Sequence, residues 1–231
     1  MKFTGIQKIT LVDYDKEIST TLFTGGCNFR CPFCHNFEFV LMNDVVEIFD
    51  TEEIFKYLDS RKHLLTAVVI TGGEPTLYKD LKDVIKRIKA MGYKVKLDTN
   101  GTNPLIVEEL FKESLIDYCA VDIKNSKELY PMTIGIDNYD ISNIIKTVEF
   151  LLHNGYDYEF RTTIIKNYHT RESIREIGKW VQGAKRFFLQ KFEMSENVPL
   201  KSLETEELKN VLEYKHILEE YIEDVSIRGY D

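Results

Sequence analysis

The sequence predicts an α/β fold, a partial (β/α)6 TIM-like barrel open on one side, on three observations. Short β-rich runs alternate with amphipathic stretches six times, the pattern of parallel strands joined by right-handed crossovers. Six units are two short of the eight that close such a barrel. Finally, every suggestive motif falls where a predicted strand ends, and folds of this kind keep their chemistry at the strands' carboxyl ends.

Taken in order, residues 19–24 (STTLFT) form a β run that stops at Gly25-Gly26. Residues 51–60 open with Thr-x-Glu and read as a helix. The apolar run 66–71 is a buried strand closed by Gly72-Gly73. Leu81, Val84, Ile85 and Ile88 share one side of a helix over 79–91, which Gly92 ends. Residues 93–98 are a strand, and 104–114 a helix opening on Pro104. The same alternation gives strands at 117–124, 158–165 and 186–192, and helices at 141–153, 171–182 and 204–221. The tail VSIRGY adds a last edge strand. Without a repeat, low-complexity run or linker, the chain reads as one domain over residues 1–231. Within it, 1–18 is an N-terminal extension, 19–195 the barrel core, and 196–231 a C-terminal helix and tail.

A chain of 231 residues is long enough to bury roughly 70–75% of its unfolded surface. With 43% hydrophobic and 29% charged residues, the composition is that of a soluble globular domain. No stretch reaches the ~18 apolar residues of a membrane helix, and MKFTGIQKIT lacks a secretory apolar core. The expected location is the cytoplasm, where thiols stay reduced. Four cysteines there point to a metal or a reaction. A net charge of −8 argues against nucleic acid as a partner. The lysine stripe at 79, 82, 86 and 89 is interrupted by Asp80 and Asp83, as on a solvated helix face.

Three of the cysteines lie in GGCNFRCPFCHN, residues 25–36, as Cys27, Cys31 and Cys34. A structural zinc site needs four ligands, and His35 is the sole nearby candidate. Being adjacent to Cys34, it cannot easily reach another corner of one tetrahedron. Three thiolates fit a four-iron, four-sulfur cubane with one iron free of protein ligands. Such a centre can do chemistry or merely hold the loop, and spacing alone leaves both open.

Strand parity sorts the remaining polar residues. Tyr118, Ala120, Asp122 and Lys124 share a face, and Cys119, Val121 and Ile123 take the other. Asp122 and Lys124 are a buried ion pair or ligand contacts, and Cys119 is a small core residue. Asp98 and Asn100 share a face, as do Glu159, Arg161 and Thr163. Arg161 therefore pairs with Glu159 or binds a carboxylate. Gln190 faces the site or satisfies a neighbour.

The Cys27-Asn-Phe-Arg-Cys31-Pro-Phe-Cys34 run resembles the signature of the radical S-adenosylmethionine superfamily, and Thr71-Gly72-Gly73-Glu74-Pro75 resembles that family's second motif. The resemblance implies a partial barrel of the radical S-adenosylmethionine type. It implies one 4Fe-4S cluster on Cys27, Cys31 and Cys34, with S-adenosylmethionine (SAM) chelating the open iron. Glu74 then meets the SAM ammonium, Gly72 and Gly73 let backbone approach it, and Phe33 lies near adenine. Asp98 and Asn100 fall at the ribose or amino acid part. Asp122 and Lys124 match an Asp-x-Lys whose lysine meets the carboxylate, and Arg161 is a further carboxylate ligand.

Within the family, Ile9-Thr-Leu-Val-Asp-Tyr14, the Cys-His-Asn ending of the loop and the closing Ile-Arg-Gly look like the activators of anaerobic ribonucleotide reductase. Asp15-Lys16 stands where that group often has Pro-Gly. This likeness implies an oxidoreductase that cleaves SAM to a 5′-deoxyadenosyl radical and installs a glycyl radical on the reductase. A flavodoxin or ferredoxin supplies the electron. The alternatives are a radical enzyme acting on a small molecule, such as a 7-carboxy-7-deazaguanine synthase-like reaction, and a non-catalytic iron–sulfur or zinc protein.

Overall fold

The computed structural model describes residues 1–42 and 48–230. Its elements are β1 (Phe3–Thr10), β2 (Ser19–Thr24), α1 (Phe37–Leu41), α2 (Thr51–Ser60), β3 (Ala67–Gly72), a 3-10 turn (Pro75–Leu77), α3 (Leu81–Ala90) and β4 (Lys94–Thr99). There follow α4 (Pro104–Lys112), β5 (Tyr118–Asp122), α5 (Tyr130–Ile134), α6 (Ser142–His153), β6 (Tyr158–Ile164), α7 (Arg171–Trp180), β7 (Arg186–Lys191), α8 (Leu208–Glu219) and β8 (Asp224–Arg228). The hydrogen-bonded strand order is the chain order, β1 through β8, an open α/β sheet. The chain divides into two compact units: Met1–Asn28 with Glu38–Cys119, and Phe29–Phe37 with Ala120–Asp231. No helix among the described residues is long and apolar enough to cross a membrane.

In the first unit β1 runs antiparallel to β2, and β2, β3 and β4 are parallel. The predicted extension thus contributes a strand, one hidden in the sequence because Gln7, Lys8 and Ile9 are exposed on it. The parallel strands β2, β3 and β4 are largely buried on both faces, as parallel strands flanked by helices must be. Ile54, Phe55 and Leu58 of α2, Leu81, Val84, Ile85 and Ile88 of α3, and Val107, Leu110 and Phe111 of α4 are the buried stripes. The cap of α2 is Asp50, whose carboxylate accepts from the Glu52 and Glu53 amides, in place of the expected Thr51. Tyr14 packs with Ala67, Val69 and Tyr118. Buried Lys96 donates to the Asp13 carbonyl at 2.7 Å, with its ammonium 5.4 Å from the Tyr118 ring. Ala67 and Tyr118 open their strands, so the Asp13-Tyr14 pair fills the amino end of this face. Chemistry is left to the carboxyl end.

In the second unit β6, β7 and β8 are parallel, and the Ile123 amide donates to the Arg161 carbonyl at 2.8 Å beyond β5. The predicted tail strand is β8. The helix expected from 204 begins at Leu208 instead. Backbone at Glu204 and Thr205 is taken up by Lys166 and Ile165, through a hydrogen bond from the Lys166 amide to the Glu204 carbonyl and an isolated antiparallel bridge. The sequence reading also lacks α5. That helix starts at Tyr130-Pro131, proline being tolerated at a first helical turn. The cap of α7 is a reciprocal Thr170–Ser173 box. Phe160, Ile164, Phe187, Leu189, Ile174, Ile177, Val211 and Leu218 are fully buried, each contributing roughly 1.5–3 kcal/mol of burial.

Candidate functional site

The cysteine loop, the Gly72–Pro75 turn, the Asp98–Gly101 stretch and the Asp122/Lys124 pair each lie at or just beyond a strand's carboxyl end. In the first unit, three loops leave β2, β3 and β4 and are knitted together. The Gly73 amide donates to Thr24 at 2.7 Å and the Glu74 amide to Gly26 at 2.8 Å. A Cβ on Gly73 would lie 2.0 Å from the Gly26 carbonyl oxygen. Gly72 has φ +109°, and its Cβ would meet the Thr24 backbone at 2.4 Å. Neither position accepts a side chain, for reasons internal to the fold.

Glu74 is fully buried and engaged within its own unit. Its carboxylate accepts from Thr76 N (3.0 Å), Thr76 Oγ1 (2.5 Å), Thr99 Oγ1 (2.7 Å) and Asn100 N (2.7 Å). Burial pushes this carboxyl up, while those four donors pull the other way. As it stands, Glu74 braces the β3 and β4 loops and faces no open surface. Asn100 continues the seam. Its Nδ2 donates to Asn28 Oδ1 at 2.8 Å and lies 3.9 Å from Cys27 Sγ, while Thr102 donates to Asn100 Oδ1. Asp98 lies 3.8 Å from the Lys96 ammonium.

The second unit holds the loop's other half. The Arg30 amide donates to Ile134 O at 2.9 Å, and Leu200 N to Pro32 O at 3.1 Å. Phe29 packs edge-on against Tyr130 and Tyr139, and buried Phe33 against Tyr168. The Lys124 ammonium is 5.9 Å from the centre of the Phe33 ring. His35 is exposed, donates Nε2–H to the Glu193 carbonyl at 2.6 Å, and joins Gln190 in lining a cavity of ≈ 430 Å³. Cys31 is buried and Cys34 half-buried. Burial pushes the Cys34 thiol up, opposed by the Asn36 amide and the Lys124 charge.

Asp122, at the end of β5, gathers two cations. Lys124 Nζ lies 3.0 Å from its Oδ2 and Arg161 Nε 2.9 Å from its Oδ1. Burial disfavours the carboxylate, but the Arg161 and Lys124 charges outweigh it and hold its pKa at about 2. Burial likewise opposes the Lys124 charge, and the Asp122 carboxylate overcomes it, so the ammonium persists across the biological range. The sequence reading left Arg161 to pair with Glu159 or to bind a carboxylate. The Glu159 contact is the looser one at 3.9 Å, and Asp122 is the near partner. Glu159 is instead held by Arg228, at 3.2 and 3.3 Å. Parity gave the shared face but could not give the partner across strands. Cys119 is fully buried in the core, as expected.

Sequence reasoning passed over the residues that fix Lys124. His169 accepts from the Ile165 amide at Nδ1 (3.1 Å) and donates Nε2–H to the Lys124 carbonyl (3.0 Å). Asn125 ties Tyr168 O and Thr133 Oγ1, and Tyr130 donates to the Asp122 carbonyl at 3.1 Å. The one available signal was Asn125-Ser126 directly after a strand.

Among the described residues, no three His, Cys, Asp or Glu side chains gather about one ion-sized point. The case for a metal group stands on the chemistry of the donor set, three cysteines outside any disulfide, which fits an iron–sulfur cluster.

Comparison with known proteins agrees. The model of the Radical SAM superfamily matches residues 21–181, and members of that family bind a 4Fe-4S cluster and SAM. A Methanocaldococcus jannaschii protein assigned as a glycyl-radical enzyme activating enzyme is 36% identical over 97% of this chain and 94% of its own length. A protein assigned as a GTP 3′,8-cyclase in Saccharolobus islandicus is 27% identical over 92% of this chain and 66% of its own length. Among solved structures, Streptococcus suis SuiB superposes with TM-score 0.69 at 19% identity, covering 90% of this chain and 48% of that one.

Proposed function

The chain belongs to the radical S-adenosylmethionine superfamily, and on that premise we propose that it is the activating enzyme of a glycyl radical enzyme, with an anaerobic ribonucleotide reductase as partner. The observation that carries this reading is the end-to-end similarity to the M. jannaschii protein, at 36% identity over 94% of that protein's length. The closing Ile227-Arg228-Gly229 and the Cys-His-Asn ending of the loop point the same way.

In this reading Cys27, Cys31 and Cys34 hold the 4Fe-4S cluster. With SAM bound and one electron supplied, the pair provides homolytic C5′–S cleavage and a 5′-deoxyadenosyl radical for glycine α-hydrogen abstraction. The chain's own residues bind and orient. Lys124, kept cationic by Asp122, takes the SAM carboxylate, with Arg161 holding Asp122 in place. Backbone at Gly72 and Gly73 takes the amino acid end, and Glu74 fixes that loop. Phe33 sits at the adenine, while Asp98 and Asn100 serve the ribose edge. Burial of Cys31 and Phe33 keeps water from the reacting centre. A flavodoxin or ferredoxin supplies the electron in the cytoplasm.

The decisive test is anaerobic incubation of the reconstituted protein with SAM, a reductant and the reductase. A protein-based doublet by electron paramagnetic resonance is expected. SAM cleavage without that doublet rejects the activase reading while leaving the family chemistry intact. Cys31→Ala is expected to abolish cleavage and iron–sulfur absorbance together. One equivalent of zinc in place of iron and sulfide would support the non-catalytic alternative.

A second reading, a radical enzyme acting on a small molecule, draws on the similarity to the S. islandicus protein. GTP consumed in place of the doublet would favour it.

A further inference from the structure

The Asp122 cluster continues across the sheet. Arg161 is in register with Phe188 on β7, Phe188 with Ser226 on β8, and Gln190 with Arg228. Registered neighbours point to the same side, so Glu159, Arg161, Phe188 and Arg228 share one face. On it the charges alternate: Lys124, Asp122, Arg161, Glu159, Arg228. The successive separations are 3.0, 2.9, 3.9 and 3.2 Å. Arg228 reaches across β7 by lying over the Phe188 ring, 3.3 Å from its centre. It grips Glu159 with both terminal nitrogens, one on each carboxylate oxygen.

We propose that Arg228 and Glu159 are positioning residues for the SAM carboxylate, acting through Arg161 and Asp122 on Lys124. The argument is one of charge balance. The Glu159 side chain is 3% exposed, and a carboxylate that deep must be compensated. While Arg228 compensates it, the Arg161 Nε–H stays on Asp122, and Asp122 shares itself between Arg161 and Lys124. Remove the Arg228 charge, and Arg161, 3.9 Å away, is a cation already within reach of Glu159. Arg161 is drawn off Asp122, which then holds Lys124 alone. An ammonium held by an undivided carboxylate is less free to meet another. The tail residue of the closing Ile-Arg-Gly is thereby coupled to a lysine just beyond β5, three strands away in the sheet order. Its place there follows from this network and from no contact with the ligand.

The inference rests on the reading that Lys124 meets the carboxylate, and the experiment separates the two. SAM affinity is measured by calorimetry on anaerobically reconstituted protein, with iron and sulfide content as the control. Lys124→Ala tests the premise, since unchanged affinity removes it. Arg228→Gln is expected to weaken binding about tenfold, which is ~1.4 kcal/mol, at unchanged iron content. Glu159→Gln combined with Arg228→Gln removes both charges and is expected to restore affinity to within about threefold, a coupling that packing alone does not produce. If Lys124→Ala weakens binding but Arg228→Gln does not, the inference fails and the premise survives. A double variant as weak as Arg228→Gln also overturns it, because Arg228 would then act only by covering Phe188. Should Arg228→Gln not fold, the charge-balanced double variant carries the test alone, and loss of SAM binding in it is the overturning result.

Discussion

The two units prepare their ends of the sheet by different physics. Met1–Asn28 with Glu38–Cys119 uses contact. Glycine backbone meets glycine backbone, and a seam of amides and hydroxyls closes around one buried carboxylate. Phe29–Phe37 with Ala120–Asp231 uses charge, in a row of three cations and two carboxylates seated on a face that parity alone defines. A contact seam has no room for an added atom but is indifferent to salt. A charge row accepts changes of shape but not an unbalanced loss of one member. The two should therefore break under different insults.

The largest effect is expected from an added methyl group in the first unit. In Gly73→Ala the Cβ would lie 2.0 Å from a backbone oxygen, which no rotamer change relieves. A cost of at least ~3 kcal/mol is expected, read by denaturant unfolding of metal-free protein. Gly92 is the control. It has φ +92° with nothing within 4 Å of a built Cβ, so Gly92→Ala bears only the conformational penalty of about 1–2 kcal/mol. Equal costs at the two positions would dissolve the contact side of the comparison.

The second expectation addresses the charge row. Asp122→Asn leaves Lys124 and Arg161 facing each other without their carboxylate, for about 2–3 kcal/mol after allowing for partial exposure. Because Asp122 titrates at about 2 in the fold against ~3.9 unfolded, its contribution is complete above pH ~4. It declines as the pH falls through about 2. The gap between native protein and variant should accordingly narrow from pH 4 downward. A gap constant across that range would mean that Asp122 acts by shape.

How much of this was legible in the sequence follows the same divide. Six strands and their helices were visible because burial on both faces writes apolar runs. The cysteine loop and Gly72-Gly73 were visible because chemistry and close approach restrict residue type. β1 was not, since an antiparallel edge strand carries exposed Gln7, Lys8 and Ile9 and needs no continuous apolar run. Parity put Asp122 with Lys124 correctly, both being on one strand. It left Arg161 open, because the choice between Glu159 and Asp122 depends on register between strands. Glu74 shows the limit from the other side. Its residue type was singled out for ligand binding, while its four donors come from positions up to 26 residues away, beyond any local pattern.

His169 sharpens the comparison, because it sets a neutral clamp beneath the charge row. It is 1% exposed, and both ring nitrogens are committed. A carbonyl can only accept, so Nε2 carries the hydrogen toward Lys124 O, and Nδ1 must stay bare to receive the Ile165 amide. Protonation would set N–H against N–H and break the clamp. Burial depresses the imidazole below its usual value, with the two backbone contacts and the charge of Glu206 opposing more weakly. The sign follows. Above pH ~6.5 the ring is neutral folded or unfolded and adds no pH dependence. Below it the unfolded chain takes up a proton that the native state refuses, so stability falls with falling pH. One such site removes at most about 1 kcal/mol between pH 6.5 and 5.5. His169→Gln, which cannot titrate, should flatten that part of the stability profile by the same amount. If the native profile and the variant's run parallel through this window, the imidazole accepts its proton in the fold. The Ile165 bond is then not what holds the strand end at Lys124.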